Sequence, residues 1–232
     1  MKRFLGMILL FGLIGVGNAF SQEVIGLSYE HMFYMYFNGT KKTPTDEEVN
    51  AFIENVHPAE YSSFRRNEFE WRKLKQAGIE ELNNGIANFN PETFFVVISD
   101  ASFGEYDFEK EGFNFTISNN FIFNTRFDGS FVRFNLLLTN NHDFNLMKMD
   151  PDTANEMIKS RTGISKVDRG VRLYIYFKFA DFSQEVFTSL VGRQSGYFLH
   201  GTIERIEVLD SHTRGQVYDT SPYFKIGEVT SE

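Results

Sequence analysis

The chain has 232 residues, 27 of them phenylalanine, one tryptophan, five prolines and no cysteine. Hydrophobic residues make up 42% and charged residues 23%, with a formal net charge of −8. These proportions fit a folded domain with a large aromatic core, and they exclude a disordered, collagen-like or disulfide-stapled chain.

Met1-Lys2-Arg3 is followed by an uncharged apolar run from Phe4 to Val16. The run is short of the roughly 20 residues that a spanning helix needs. A basic start, a short apolar stretch and then small residues read as a secretory signal peptide over residues 1–21. Gly17 and Ala19 fit one cleavage site, leaving Phe20 first, and Ala19 and Ser21 fit the favoured one, leaving Gln22 first. No cysteine follows the apolar run, so lipid attachment is not expected. Cleavage leaves 21 basic and 31 acidic side chains. Such a surface repels phosphate backbones, so nucleic acid is not an expected partner. The expected location is periplasmic or secreted. No later run is long and apolar enough to suggest a transmembrane segment in the mature chain, and its oligomeric state is not legible.

Residues 22–232 read as a single α+β domain, helical over 22–89 and β-rich over 90–225, with a tail at 226–232. Ser28 suits the cap of a first helix through Phe37 with Asn38-Gly39 as its stop. That helix is apolar nearly all round, so it is either buried or a contact surface. Thr45 and Glu48 form a capping box for a second helix that stops before His57-Pro58. A third helix runs from about Asn67 to Asn88. Its stripe of Trp71, Leu74, Gly78, Leu82, Ile86 and Phe89 predicts packing across a sheet.

From Asn90 the apolar period changes from about 3.6 to 2. Thr93–Ser99 reads as a strand; Phe113, Phe115 and Ile117 alternate, as do Phe121 and Phe123, then Phe134, Leu136 and Leu138. Asn119-Asn120 and Asp128-Gly129 supply turns. Asp150-Pro151 opens an inserted helix that Gly163 stops. Val171–Phe179 is the clearest strand, and Tyr197–Leu209 is another, bent near Gly201. Residues 182–195 read as either a short helix or a loop, and the last ten as an edge strand or a loose tail. Helices followed by mainly sequential strands predict N-terminal helices on an antiparallel sheet, curved or partly closed.

Recognised catalytic motifs are largely missing. Ser195 lies one place too late for a nucleophile elbow, and Asp210-Ser211-His212 reads as a polar turn. Two constellations remain. Asp100, Glu105, Asp107, Glu109 and Glu111 would place four carboxylates on one face if 105–111 were extended. Such a ladder suits calcium, or the paired acids of glycoside hydrolysis; its blander reading is a solvated edge. The second is the non-core face of the 171–179 strand, with Arg172, Tyr174, Tyr176 and Lys178. Rings flanked by cations suit a sugar or an acidic partner, or simply pack beneath another element.

Tyr61, Glu68-Phe69-Glu70-Trp71 and Gly104-Glu105-Tyr106-Asp107-Phe108 carry a resemblance. Over residues 27–115 the chain resembles a family of bacterial exported proteins described only as a domain of unknown function. The resemblance implies an envelope location and no catalytic residue. Asp107 and Tyr106 are then equally readable as a structural corner. The expected role is a non-catalytic domain that binds an envelope protein or glycan, with a glycan-acting hydrolase using carboxylates in Asp100–Glu111 as the alternative.

Overall fold

Four of the five described α-helices begin where a side chain satisfies free N–H groups. In the computed structural model, Ser28 caps α1 (Tyr29–Thr40) and Thr45 with Glu48 closes the capping box of α2 (Asp46–Val56). Asn67 Oδ1 accepts from the N–H groups of Phe69 and Glu70 at the start of α4 (Glu68–Asn88). Between them lies α3 (Pro58–Phe64), where Pro58 opens a helix as well as ending the previous one. The structure describes residues 24–118, 120–127, 130–163, 166–189, 192–210 and 225–229, with 125–127, 130–133, 186–189, 192–195, 210 and 225–228 as backbone only. Residues 1–21 and their cleavage site, Asn119, Asp128-Gly129 and His212 lie outside this set.

The strands are β1 (Val24–Gly26), β2 (Phe94–Asp107), β3 (Gly112–Phe115), β4 (Asn120–Phe127), β5 (Ser130–Leu138), β6 (Leu146–Lys148), β7 (Gly170–Ser189), β8 (Gly192–Asp210) and β9 (Lys225–Val229). The inserted helix is α5 (Pro151–Arg161), capped by Asp150. The sheet order is β4-β5-β8-β7-β2-β3-β6, with β1 on β2 and β9 on β8. Most neighbours are antiparallel, but β5–β8 and β1–β2 are parallel. The sheet curls into a half-barrel, and the α+β architecture with helices first is as the sequence predicts. No helix of the described residues is long and apolar enough to cross a membrane.

Alternation places the core. Val171, Leu173, Ile175 and Phe177 are at most 1% exposed, and Phe134, Leu136 and Leu138 at most 2%. Register irregularities on both sides of Gly201 leave Glu204 and Ala180 without an opposite residue, which bends the β7–β8 ribbon. Gly201 fits there because a Cβ would stand 2.6 Å from the Phe177 ring.

Four expectations need correction. Residues 182–195 are neither helix nor loop: the described part continues β7 and β8 as paired strands, because backbone pairing with a long neighbour outweighs a polar local composition. The last ten residues, read as an edge strand or a loose tail, take the first form in β9, paired with β8. Residues 105–111 are not one extended run, since β2 ends at Asp107 and a turn follows. The first helix continues through Gly39, whose missing Cβ seats Phe182, and ends with Lys41 in the left-handed region at φ 55°. Finally, α4 does not lie across the sheet; α1 does, touching β7 and β8, while α4 packs on α1, α2 and α3. The end of the long helix reaches the sheet, where Phe89 meets the rings of Phe95 and Phe179.

Close helix approach depends on two glycines of α4. A Cβ on Gly78 would stand 2.6 Å from Ile53, and one on Gly85 would stand 2.0 Å from the Tyr34 ring. Tyr34 cannot retreat easily, because its hydroxyl donates to Glu30 at 2.8 Å and the residue is 7% exposed. Gly85→Ala is therefore expected to lower stability by about 1–3 kcal/mol through overpacking, despite a helix-propensity gain of about 1 kcal/mol. Urea denaturation checks this; a stabilised variant would show that α4 does not press on α1.

Candidate functional site

Period-2 alternation on β7 turns Arg172, Tyr174, Tyr176 and Lys178 to the face opposite the core, and the register brings each beside β2 and β8. Arg172 Nε meets Asp100 Oδ1 at 3.3 Å, directly across the β2–β7 pair. Lys178 Nζ meets Glu92 at 2.8 Å and lies 5.2 Å from the centre of the Phe94 ring. The hydrogen bond to Glu92 raises the Lys178 ammonium above its ordinary range. Tyr176 donates its hydroxyl to Glu207 at 2.8 Å, and the Arg205 guanidinium sits 4.2 Å above its ring. Burial first, and the Glu207 bond second, push the Tyr176 phenol up to about 12.

The structure thus brings the four predicted residues onto one face but gives three of them internal partners. The cations Arg172, Lys178 and Arg205 are matched by Asp100, Glu92 and Glu207, so the face is balanced rather than basic. Exposed pairs of this kind contribute about 0–1 kcal/mol each, and they set side-chain positions more than stability. What is left for an external partner is Tyr174, half-buried, with Ile98 opposite it in register and 55% exposed.

The carboxylates are not brought together. Asp100 pairs with Arg172, and Glu105 lies exposed within the register shift between Phe103 and Tyr106. Asp107 Oδ1 accepts from the N–H groups of Glu109 and Lys110, closing the turn that returns the chain into β3. Glu111 ends that turn with φ 52°. Tyr106 donates to the Met149 carbonyl at 2.7 Å, and its ring packs against Phe108 and Phe113. The Gly104–Phe108 segment is a structural corner. Among the described residues, no three His, Asp or Glu side chains are placed to hold a metal ion.

Two cavities border these elements. One, of about 380 Å³, lies between the 106–113 corner and the start of α5, with Phe108 79% exposed at its rim. The other is a groove of about 660 Å³ between the edges of β2 and β4, lined by Val97, Ile98, Phe121, Ile122 and Phe123. Composition cannot reveal this groove, because it depends on which strands end up at the sheet's edges. The exposed Ile98 and Ile122 in otherwise alternating strands are its sequence signal. Two serine–histidine contacts were likewise not legible: Ser183 Oγ with His200 Nε2 at 2.8 Å and Ser28 Oγ with His31 Nδ1 at 2.7 Å. Neither pair lines either cavity. The Ser28 hydroxyl also caps α1, and burial lowers the His31 pKa. Asp210 ends β8, and the rest of the expected polar turn, Ser211 and His212, is outside the described residues.

Fold and site together define an α+β half-barrel domain with a charge-balanced outer face and a groove along one open edge. The chain belongs to the family described as "Domain of unknown function (DUF4852)", whose model matches residues 45–160. That span contains both short motifs noted in the sequence, begins later than their resemblance suggests and extends into α5. No curated protein matches the chain. Among solved structures, a mitochondrial single-stranded DNA-binding protein from S. cerevisiae aligns at 12% identity, over 51% of this chain and 95% of that one. Its TM-score is 0.17, too low to indicate a shared fold.

The two tyrosines should respond differently to truncation. Tyr176 is 8% exposed, so Tyr176→Ala is expected to cost about 3 kcal/mol, whereas the more open Tyr174→Ala costs about 1 kcal/mol or less. Urea denaturation of the two variants measures this, and equal losses would contradict the packing described.

Proposed function

We propose that the chain is an exported, non-catalytic binding domain that recognises another envelope component, protein or glycan, through the outer face of β2 and β7. The observation that carries this reading is the Ile98–Tyr174 corner beside the β2–β4 groove. A single exposed apolar side chain is ordinary, but Ile98 and Ile122 stand 55% and 53% exposed on the two sides of one groove. Tyrosine suits such a surface, because its ring offers apolar area and its hydroxyl a polar handle. Export rests on the basic start and short apolar run of residues 1–21 and agrees with a chain lacking cysteine. A glycan-acting hydrolase would need two of the Asp100–Glu111 carboxylates facing one cavity about 5–10 Å apart. Asp100 is held by Arg172 and Asp107 by its own turn, and none of the five lines either cavity, which favours binding over hydrolysis.

The internal partners of Tyr176 make it a poor probe of binding, so the test uses Ile98→Ala with Tyr174→Ala. The double variant is expected to fold, with thermal unfolding close to that of the parent, and to lose at least about fivefold in retention on bacterial envelope fractions, as hot-spot truncations do. Retention that disappears after protease treatment of the fraction assigns a protein partner, and retention that survives it assigns a glycan. Unchanged retention of the double variant would sink this surface as the binding site.

A further inference from the structure

The outward edge of β2 is used twice by the chain itself. At one end β1 pairs with it in parallel, a ladder that stops at Gly26↔Val96, after which Leu27 N–H still donates to the Val96 carbonyl. At the other end β3 pairs with it from Phe103 onward. Between them residues 97–102 form a window about 20 Å long in which no described strand occupies this edge.

Hydrogen-bond parity shows which groups face the window. Phe103 N–H donates toward β7, to the Arg169 carbonyl, so the odd-numbered residues of this stretch bond β7. The even-numbered ones, Val96, Ile98 and Asp100, point their N–H and C=O groups the other way, as the Leu27–Val96 bond requires. The Asp100 carbonyl accepts from Ser99 Oγ. For the N–H groups of Ile98 and Asp100 and the Ile98 carbonyl, the described residues supply no partner. The opposite wall has the same character. On β4, Asn120 and Asn124 turn their carbonyls away from β5, to Ser118 Oγ and the Tyr29 hydroxyl, so Ile122 between them also points its backbone into the groove.

We propose that this window takes an extended, uncharged segment of a partner polypeptide as an added strand, continuing the line of β1 along β2. The inference rests on the reading of the chain as a binding domain and specifies its partner. An alternating row of donors and acceptors at strand spacing is matched by a peptide backbone, not by a sugar ring. The lining contains no charged residue, so the inserted side chains are uncharged, alternating between Val97, Phe121 and Phe123 within and Ile98 and Ile122 without. The excess of 31 acidic over 21 basic side chains from Gln22 onward selects basic flanks, which speed encounter without entering the groove.

The test uses the chain from Gln22 onward and a synthetic probe, a heptapeptide of alternating valine and threonine flanked by lysines. A second version carries N-methyl groups on alternate amides, keeping the side chains but losing backbone donors. The unmethylated probe is expected to slow amide exchange at Ile98 and Asp100 at least about tenfold, and methylation to weaken binding by about the same factor. No slowing at these amides with millimolar probe, or equal binding of both versions, overturns the proposal. Slow exchange there in probe-free protein that strengthens with protein concentration also overturns it, since the occupant is then a second copy of this chain. Should the Ile98→Ala, Tyr174→Ala variant lose envelope retention while the probe leaves both amides unprotected, strand addition fails and the binding reading stands.

Discussion

Everything else in this fold is arranged around one helix with no polar side. Met32 to Phe37 of α1 are all 7% exposed or less, so more than one and a half turns of helix need cover on every face. The curled sheet supplies it on one side and α2 with α4 on the other. The rings of Phe33, Tyr36, Phe134, Phe182 and Tyr197 meet edge to face, tilted or stacked at 5.2–6.0 Å, so the phenylalanine excess is mostly packing material. One carboxylate ties this layer together. Glu48 accepts from the Tyr36 hydroxyl at 2.9 Å with one oxygen and from the Thr45 N–H at 2.8 Å with the other. A buried acid satisfied at both oxygens fixes the orientation of α1 against α2, where an unpaired one would destabilise the core.

A helix with side chains is about 10–12 Å across, and α1 lies against the curled sheet, so the sheet has to bend around it rather than close upon itself. The edges of β2 and β4 consequently face each other across a groove instead of pairing. The chain covers part of this liability with β1 and β3, and Asp100 adds an exposed charge, paired with Arg172, within the remaining window. An open edge retained next to exposed isoleucines is the feature that connects the core to a binding role.

Much of this was legible in the sequence because local signals and tertiary demands agree. The caps at Ser28, Thr45 and Asp150, and the alternation on β5 and β7, are satisfied together with the burial that the core requires. The rest fails for identifiable reasons. The α4 stripe resembles that of a sheet-covering helix, yet its glycines fit it to other helices, a distinction carried by the shapes of Tyr34 and Ile53. The acidic run looks periodic on paper, but Asp107 spends its carboxylate on a turn and Glu111 adopts a left-handed backbone. The partners of the tyrosine face, Asp100 for Arg172 and Glu207 for Tyr176, are 72 and 31 residues away and appear only with the strand register. The parallel β5–β8 pairing is equally non-local, and with it the identity of the edges.

Native-state hydrogen exchange on the free protein tests the claim that a buried α1 holds the sheet half-open. The account predicts that amides 32–37 exchange only with global unfolding, together with those of β7 171–177, while the Ile98 and Ile122 amides exchange far faster in the same sample. An α1 that exchanges through partial opening while β7 stays protected would contradict its place at the centre. Core-like protection at Ile98 and Ile122 in dilute, unliganded protein would show that the edges are closed.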